Sequence, residues 1–277
     1  VARTNMRANR ITPEVSELLR TRVVRRERLS PHLARVTLGG GELDRFRHVG
    51  FDQWFRLFLP TAGGTLENLP DKLTTLSYAR FLTQSKATRP HLRVYTVRAY
   101  RPVGPDGPEI DVDVVLHGSV ADGTAGPGAA WAETCSPGDP VALLDEGVGF
   151  NPDPALNEVV MVADESGLPA TAGILASLPA EARGRALIEI PTAADRQDLT
   201  GPAGVEVTWI TRDDPAAVPG RAALAAAEAL PLPTAPFYGW TVGEQSLPSG
   251  LRRHWVRAGV PKQDILFCGY WRHRAGH

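Results

Sequence analysis

The chain has 277 residues, 43% of them hydrophobic and 22% charged, with a formal charge of −1; these values suit a soluble globular protein of two modest domains and exclude a basic nucleic-acid coat. No apolar run approaches the ~20 residues of a membrane-crossing helix, and the opening ValAlaArgThrAsnMetArg lacks a hydrophobic signal core, so a cytoplasmic location is expected. Neutrality hides an asymmetry: residues 1–118 hold 19 Lys and Arg against 12 Asp and Glu, whereas residues 119–277 hold 11 against 19.

Residues 1–20 form a basic lead-in, with Thr12 as a candidate N-cap and Pro13 opening a short predicted helix through Leu19. Arginines 20, 22, 25, 26 and 28 follow, interleaved with Val23, Val24 and Leu29. Without aromatic stacking partners they read as a solvated strand entry, not a nucleic-acid surface. Over 21–153 short strands are predicted at 33–38, 54–59, 92–100, 110–117 and 141–144, with a short helix around Trp131 behind Gly126-Pro127-Gly128. That spacing predicts a small antiparallel six-stranded β-barrel. The Pro- and Thr-containing stretch 60–90 reads as a loop or lid.

After Asn151-Pro152-Asp153-Pro154 the pattern changes. The continuous apolar run 158–163 is a buried parallel strand, followed by a helix at 168–178. Further strands are predicted at 185–190, 205–210, 236–240 and 264–270, with helices at 222–230 and 250–256. Residues 154–277 therefore form an α/β domain with a parallel sheet. Cys135 and Cys268 show no CxxC pattern and read as reduced thiols. No HExxH, Walker loop, GxSxG or carboxylate–His metal spacing appears, so neither hydrolase nor kinase chemistry nor a bound metal is expected.

The strand 92–100 carries the most chemistry. Arg93, Tyr95 and Val97 alternate onto one face, with Thr96 and Arg98 on the other. An arginine fork beside a flat aromatic suits a flavin nucleotide, although an edge strand with solvated arginines has the same pattern.

ArgValTyrThrValArg (93–98), AspValAspValValLeuHisGly (111–118) and GlyProGlyAlaAlaTrpAla (126–132) occur in an order that resembles the FAD-binding barrel of the siderophore-interacting protein family. These ferric-siderophore reductases are similar to the ferredoxin–NADP reductase superfamily. AlaAspGluSerGlyLeuProAla (163–170), GlyTrpThrValGlyGluGln (239–245) and GlyTyrTrpArg (269–272) extend the resemblance to nearly everything after residue 20. It implies an FAD-dependent reductase, reduced by NADPH or NADH and acting on a ferric siderophore or another small molecule, with no nucleic-acid partner, no membrane span and a monomeric state. Two alternatives stay open: an organic metabolite as substrate, or a binding protein without turnover.

By the same resemblance, Tyr95 and Thr96 are the catalytic pair, stacking on the flavin and bonding near its reactive edge. Arg93 meets the pyrophosphate, Arg98 braces the site, and Val97 belongs to the same cofactor-binding run. His117 and Gly118 lie along the ribityl, pyrophosphate or adenine side; His117 reads equally as a strand-end cap. Gly126, Gly128 and Ala129 offer backbone amides at a helix N-terminus. Ala129 stands where the family carries Ser, which removes a hydroxyl from the phosphate site. In the second domain Ser166 keeps a family hydroxyl at the nicotinamide-nucleotide loop, where Asp164 and Glu165 would repel a pyrophosphate. Trp240, Gly243 and Glu244 match the segment near the nicotinamide, and Trp271 belongs to a C-terminal aromatic signature. Arg196 is a candidate for a 2′-phosphate, or an ordinary exposed arginine; Trp131, Trp209 and Trp255 read as core residues.

Overall fold

A computed structural model describes residues 4–14, 17–61, 65–67, 69–70, 79, 81, 83–85 and 87–273. Much of the expected loop over 60–90 lies outside the described residues. The chain divides into two units, Thr12–Val49 with Gln53–Val148, and Val1–Ile11 with Gly50–Asp52 and Gly149–His277.

The first unit is built on β1 (Leu18–Ser30), β2 (Leu33–Gly39), β3 (Trp54–Leu59), β4 (His91–Thr96), β5 (Ala99–Gly104), β6 (Gly107–Val115) and β7 (Pro140–Gly147). They form one antiparallel sheet in the order β4-β3-β7-β1-β2-β6-β5, seven strands where six are expected. The extra strand comes from a corner at Val97–Arg98. There the Val97 N–H leaves the ladder for the carbonyl of Gln53, and the Arg98 N–H bonds Asp111 of β6. The predicted strand 92–100 is thus two strands, the second running through Pro102. A proline is tolerated there because β5 ends the sheet.

The helix expected over 13–19 does not run to its predicted end: residues 15 and 16 lie outside the described residues, and Leu18 opens β1. Leu18 and Leu19 pair with Leu144 and Leu143 of β7 and are buried. Burying two leucines is worth roughly 3–6 kcal/mol, more than a local cap supplies. Val36, Leu38, Phe55, Leu57, Ile110, Val112 and Leu143 make the core. On the other face of β6, Glu109, Asp111 and Asp113 are buried under arginines. Arg101 holds Asp111 through two bonds of 2.6 Å, and Arg35 holds Asp113 at 2.6 and 2.9 Å. Arg22, Arg25 and Arg28 of the sequence cluster also pair, with Asp106, Glu109 and Glu133.

The second unit contains β8 (Glu158–Ala163), β9 (Arg183–Ile190), β10 (Val205–Thr211), β11 (Tyr238–Glu244) and β12 (Ile265–Trp271) in a parallel sheet ordered β10-β9-β8-β11-β12. Residues Met6–Asn9 form a single turn, α1. The longer helices are α2 (Pro127–Thr134) of the first unit and α3 (Leu168–Ser177), α4 (Arg221–Ala229) and α5 (Ser246–Arg257) here. Trp255 of α5 packs on β11 where Gly239 has no side chain; a Cβ there would lie 2.7 Å from the indole. Part of the basic lead-in docks on this sheet. The Asn5 side chain donates to the Ile265 carbonyl and accepts from the Phe267 N–H. Strand order reverses between β8 and β11, the point where open α/β sheets receive ligands at their strands' C-terminal ends.

Candidate functional site

In the first unit the residues named from sequence gather around the N-terminus of α2. Gly126 precedes the helix without a side-chain cap and Pro127 opens it, so among the described residues no side chain caps its first-turn amides. A Cβ at Gly128 would overlap the hydroxyl of Tyr95 and lie 3.7 Å from Cγ of Arg93; one at Gly126 would lie 2.8 Å from Cε1 of His117. The two glycines thus bring Tyr95, Arg93 and His117 against the helix end. Among the described residues the Arg93 guanidinium has no carboxylate partner; its one bond goes to the Leu92 carbonyl, 2.8 Å away. Tyr95 is half-buried against the core, and burial pushes its phenol up to about 12. It is a neutral, flat, apolar surface at any ordinary pH.

The chemistry of that patch fits a flavin dinucleotide: an aromatic face for a ring, an unneutralised fork and uncapped amides for phosphates. Gly118 has φ +71° and lets the chain turn into a loop closed by Thr124 and Ala125 N–H bonds to Ser119. Thr96 is buried, and Arg98 lies 3.5 Å from Asp113. Val97 and Ala129 are core side chains, so each can meet a ligand only through backbone. The Val97 N–H is already committed to Gln53.

In the second unit the loop after β8 exposes a single side chain. From Met161 to Ala170 every residue is buried except Ser166, which is half-buried. The backbone amides of this loop are largely taken: Ser166 N–H by the Asp164 carboxylate (2.9 Å), Gly167 N–H by the Asp164 carbonyl (2.9 Å), and Leu168 N–H by the Glu165 carbonyl. Ligand contact by this loop falls to the Ser166 hydroxyl. The expected repulsion from Asp164 and Glu165 is also relieved. Glu165 binds Arg212 through two bonds of 2.7 and 2.8 Å, and Asp164 is fully buried.

Glu244 N–H donates to Asp164 at 2.6 Å, so the loop after β11 is tied to the loop after β8. The Glu244 carboxylate accepts from the amide and hydroxyl of Ser246 and from the His273 amide. These bonds outweigh its burial and hold it below the usual carboxylate range. Trp240 is fully buried, its indole N–H 3.3 Å from Asp52, and has no surface to offer a cofactor. Trp271 is 37% exposed on β12. Arg196 is exposed after β9. Of the expected core tryptophans, Trp255 is fully buried, while Trp131 and Trp209 are partly so.

Sequence reasoning missed the charged cluster beneath this loop. Glu189, fully buried, accepts from the Gly220 and Ala223 amides at the start of α4 and from Arg212 at 3.0 Å. Its local signal is a glutamate in the otherwise apolar run 186–190. Among the described residues no group of three His, Cys, Asp or Glu is placed to hold a metal, and no helix is long and apolar enough to cross a membrane.

Known proteins extend these observations. A family model for the siderophore-interacting FAD-binding domain matches residues 22–149, and one for the siderophore-interacting protein matches 156–274. An uncharacterized protein of Mycobacterium tuberculosis is 40% identical over 191 residues, 69% of this chain; the match spans 64% of that relative's length. The ferric vibriobactin reductase of Vibrio cholerae is 31% identical over 217 residues, covering 76% of this chain and 72% of that protein. The crystal structure of a siderophore utilization protein from T. fusca superposes with a TM-score of 0.76 at 29% identity and covers 97% of both chains. The two family models, matched one after the other over most of this chain, make the protein a member of the siderophore-interacting protein family.

Proposed function

We propose that the protein is an FAD-dependent oxidoreductase that takes electrons from NADPH or NADH and reduces ferric siderophores in the cytoplasm. The observation that carries this reading is the meeting of Tyr95, Arg93 and the uncapped start of α2 across Gly128. Tyr95 offers a neutral face for ring stacking. Arg93 supplies charge to a pyrophosphate, while the Gly128 and Ala129 amides supply donors beside it. Ser166 is the half-buried, solvent-reachable hydroxyl at the point where an α/β sheet takes a nucleotide. When bound, FAD joins a two-electron donor to acceptors that take one electron each.

The substrate reading is supported by relatedness to a protein named as a ferric vibriobactin reductase. Fe(II) is held more weakly than Fe(III) by hard oxygen chelators, so reduction frees the metal without any protein ligand to iron. Anaerobic addition of NADPH, then NADH, to the FAD-loaded protein tests the electron-donor half. Bleaching of the flavin band by either supports it. A flavin that stays oxidised beside both reduces the protein to a carrier.

A further inference from the structure

The hydroxyl of Ser166, the one side chain of the β8 loop that is not fully buried, does not point freely. It donates to Asp164 Oδ1 at 2.5 Å, and the Ser166 amide donates to the same oxygen. The other carboxylate oxygen accepts from Glu244 N–H at 2.6 Å. Gly243, at φ +135°, lies so close that a Cβ would sit 2.6 Å from Asp164 Cγ. Asp164 is thus wrapped by both loops and sealed from water.

Among the described residues, the charges around it supply no cation of its own. Glu165 is the neighbour on its own loop, and its carboxylate is shared with Arg212 beyond β10. Arg212 is already claimed by Glu189 of β9 as well. From the β11 side Glu244 faces it, tied to Ser246 and to the residue after β12, His273. Burial, with the charge of Glu165 added, pushes Asp164 up to about 7.

An ionised Asp164 accepts the Ser166 proton, leaving only oxygen lone pairs to face a ligand phosphate. A protonated Asp164 carries an O–H of its own and can donate it to Ser166 Oγ, so that the serine hydroxyl turns its hydrogen outward. We infer that Asp164 is a positioning residue that takes up one proton from solvent when a nicotinamide nucleotide binds, converting Ser166 from an acceptor to a donor toward the ligand. This rests on the nucleotide-binding reading of the β8 loop given above.

The test titrates the FAD-loaded protein with NAD+ and with NADP+, neither of which reduces oxidised flavin, between pH 5.5 and 8.5. NAD+ is the cleaner probe, since its diphosphate does not titrate in this range. The wild type is expected to bind more weakly by about tenfold per pH unit above the transition. Calorimetry in two buffers of different ionisation enthalpy should register net proton uptake at pH 8 and almost none at pH 5.5. Asp164→Asn cannot ionise and should bind with a flat pH profile. Ser166→Ala should be flat as well, and Ser166→Thr should keep the slope. A merely structural knot would lower affinity equally at every pH. A wild type that binds without a pH slope or proton uptake, or an Asp164→Asn variant with the wild-type slope, overturns the inference and leaves the nucleotide reading standing. No binding of either nucleotide at any pH overturns both.

Discussion

Gly128→Ala puts one methyl group where the structure has no room for it. The new Cβ would overlap Tyr95 Oη, while the next atom of the ring, Cζ, would be at an ordinary 3.6 Å. Tyr95 packs against the barrel core, so its ring has few places to go. The clash is relieved by swinging the ring off its seat or by shifting the start of α2, and either separates the aromatic face from the phosphate donors. Loss of one stacked ring is worth about 1–3 kcal/mol, or roughly 5- to 150-fold in Kd. The assay is FAD titration of apoprotein by quenching of flavin fluorescence, with thermal unfolding alongside to confirm the fold. Tyr95→Phe removes the overlapping atom. The double variant should therefore bind FAD nearly as well as Tyr95→Phe alone, a coupling that distant sites do not show. Wild-type affinity in Gly128→Ala, or no rescue in the double variant, refutes the geometry.

Three further outcomes follow from named contacts. Arg93→Ala should weaken FAD binding by about 10- to 150-fold, the loss of a charge-assisted bond of ~1.5–3 kcal/mol, and Arg93→Lys should recover only part of it because the fork is gone; equilibrium titration at two salt concentrations checks this. Arg212→Met leaves Glu165 and Glu189 buried without their cation and should destabilise the protein by about 3–5 kcal/mol in denaturant unfolding; a loss below ~1 kcal/mol contradicts the network. Asp145 is pushed up to about 6 by burial, against bonds from Gly147 and Gln53. Its folded form therefore holds a proton that the unfolded chain, near pH 3.8, has already released. Its contribution to stability falls as pH rises from about 4 to about 6 and is flat above. Asp145→Asn should flatten that part of the stability profile, and an unchanged slope would show that Asp145 is not its source.

What could be read from the sequence was what is local. The run 158–163 is apolar throughout because both faces of β8 are covered, and its limits match the observed strand. Arg93 and Tyr95 alternate along one strand, so their shared face follows from pairing geometry alone. The helix expected at 13–19 failed because Leu18 and Leu19 are claimed by a strand far away in sequence. The split of 92–100 failed because Val97 and Arg98 bond to Gln53 and Asp111, which no local pattern reveals. The same limit applied at the site. Gly128 beneath Tyr95 joins a helix to a distant strand, and the Asp164 and Glu165 charges looked repulsive because Arg212 and the Glu244 amide come from elsewhere. Trp240 matched a functional segment by resemblance, yet lies in the core.

The central claim is that this cradle delivers electrons to a ferric chelate. Photoreduced, FAD-loaded protein mixed anaerobically with excess ferric siderophore and a colorimetric Fe(II) trap measures that step directly. Recovery of the oxidised flavin band, with two Fe(II) trapped per flavin because each Fe(III) accepts one electron of the pair, is the expected result. Reduced flavin that persists beside hydroxamate, catecholate and carboxylate chelates alike, with no Fe(II) trapped, would contradict it.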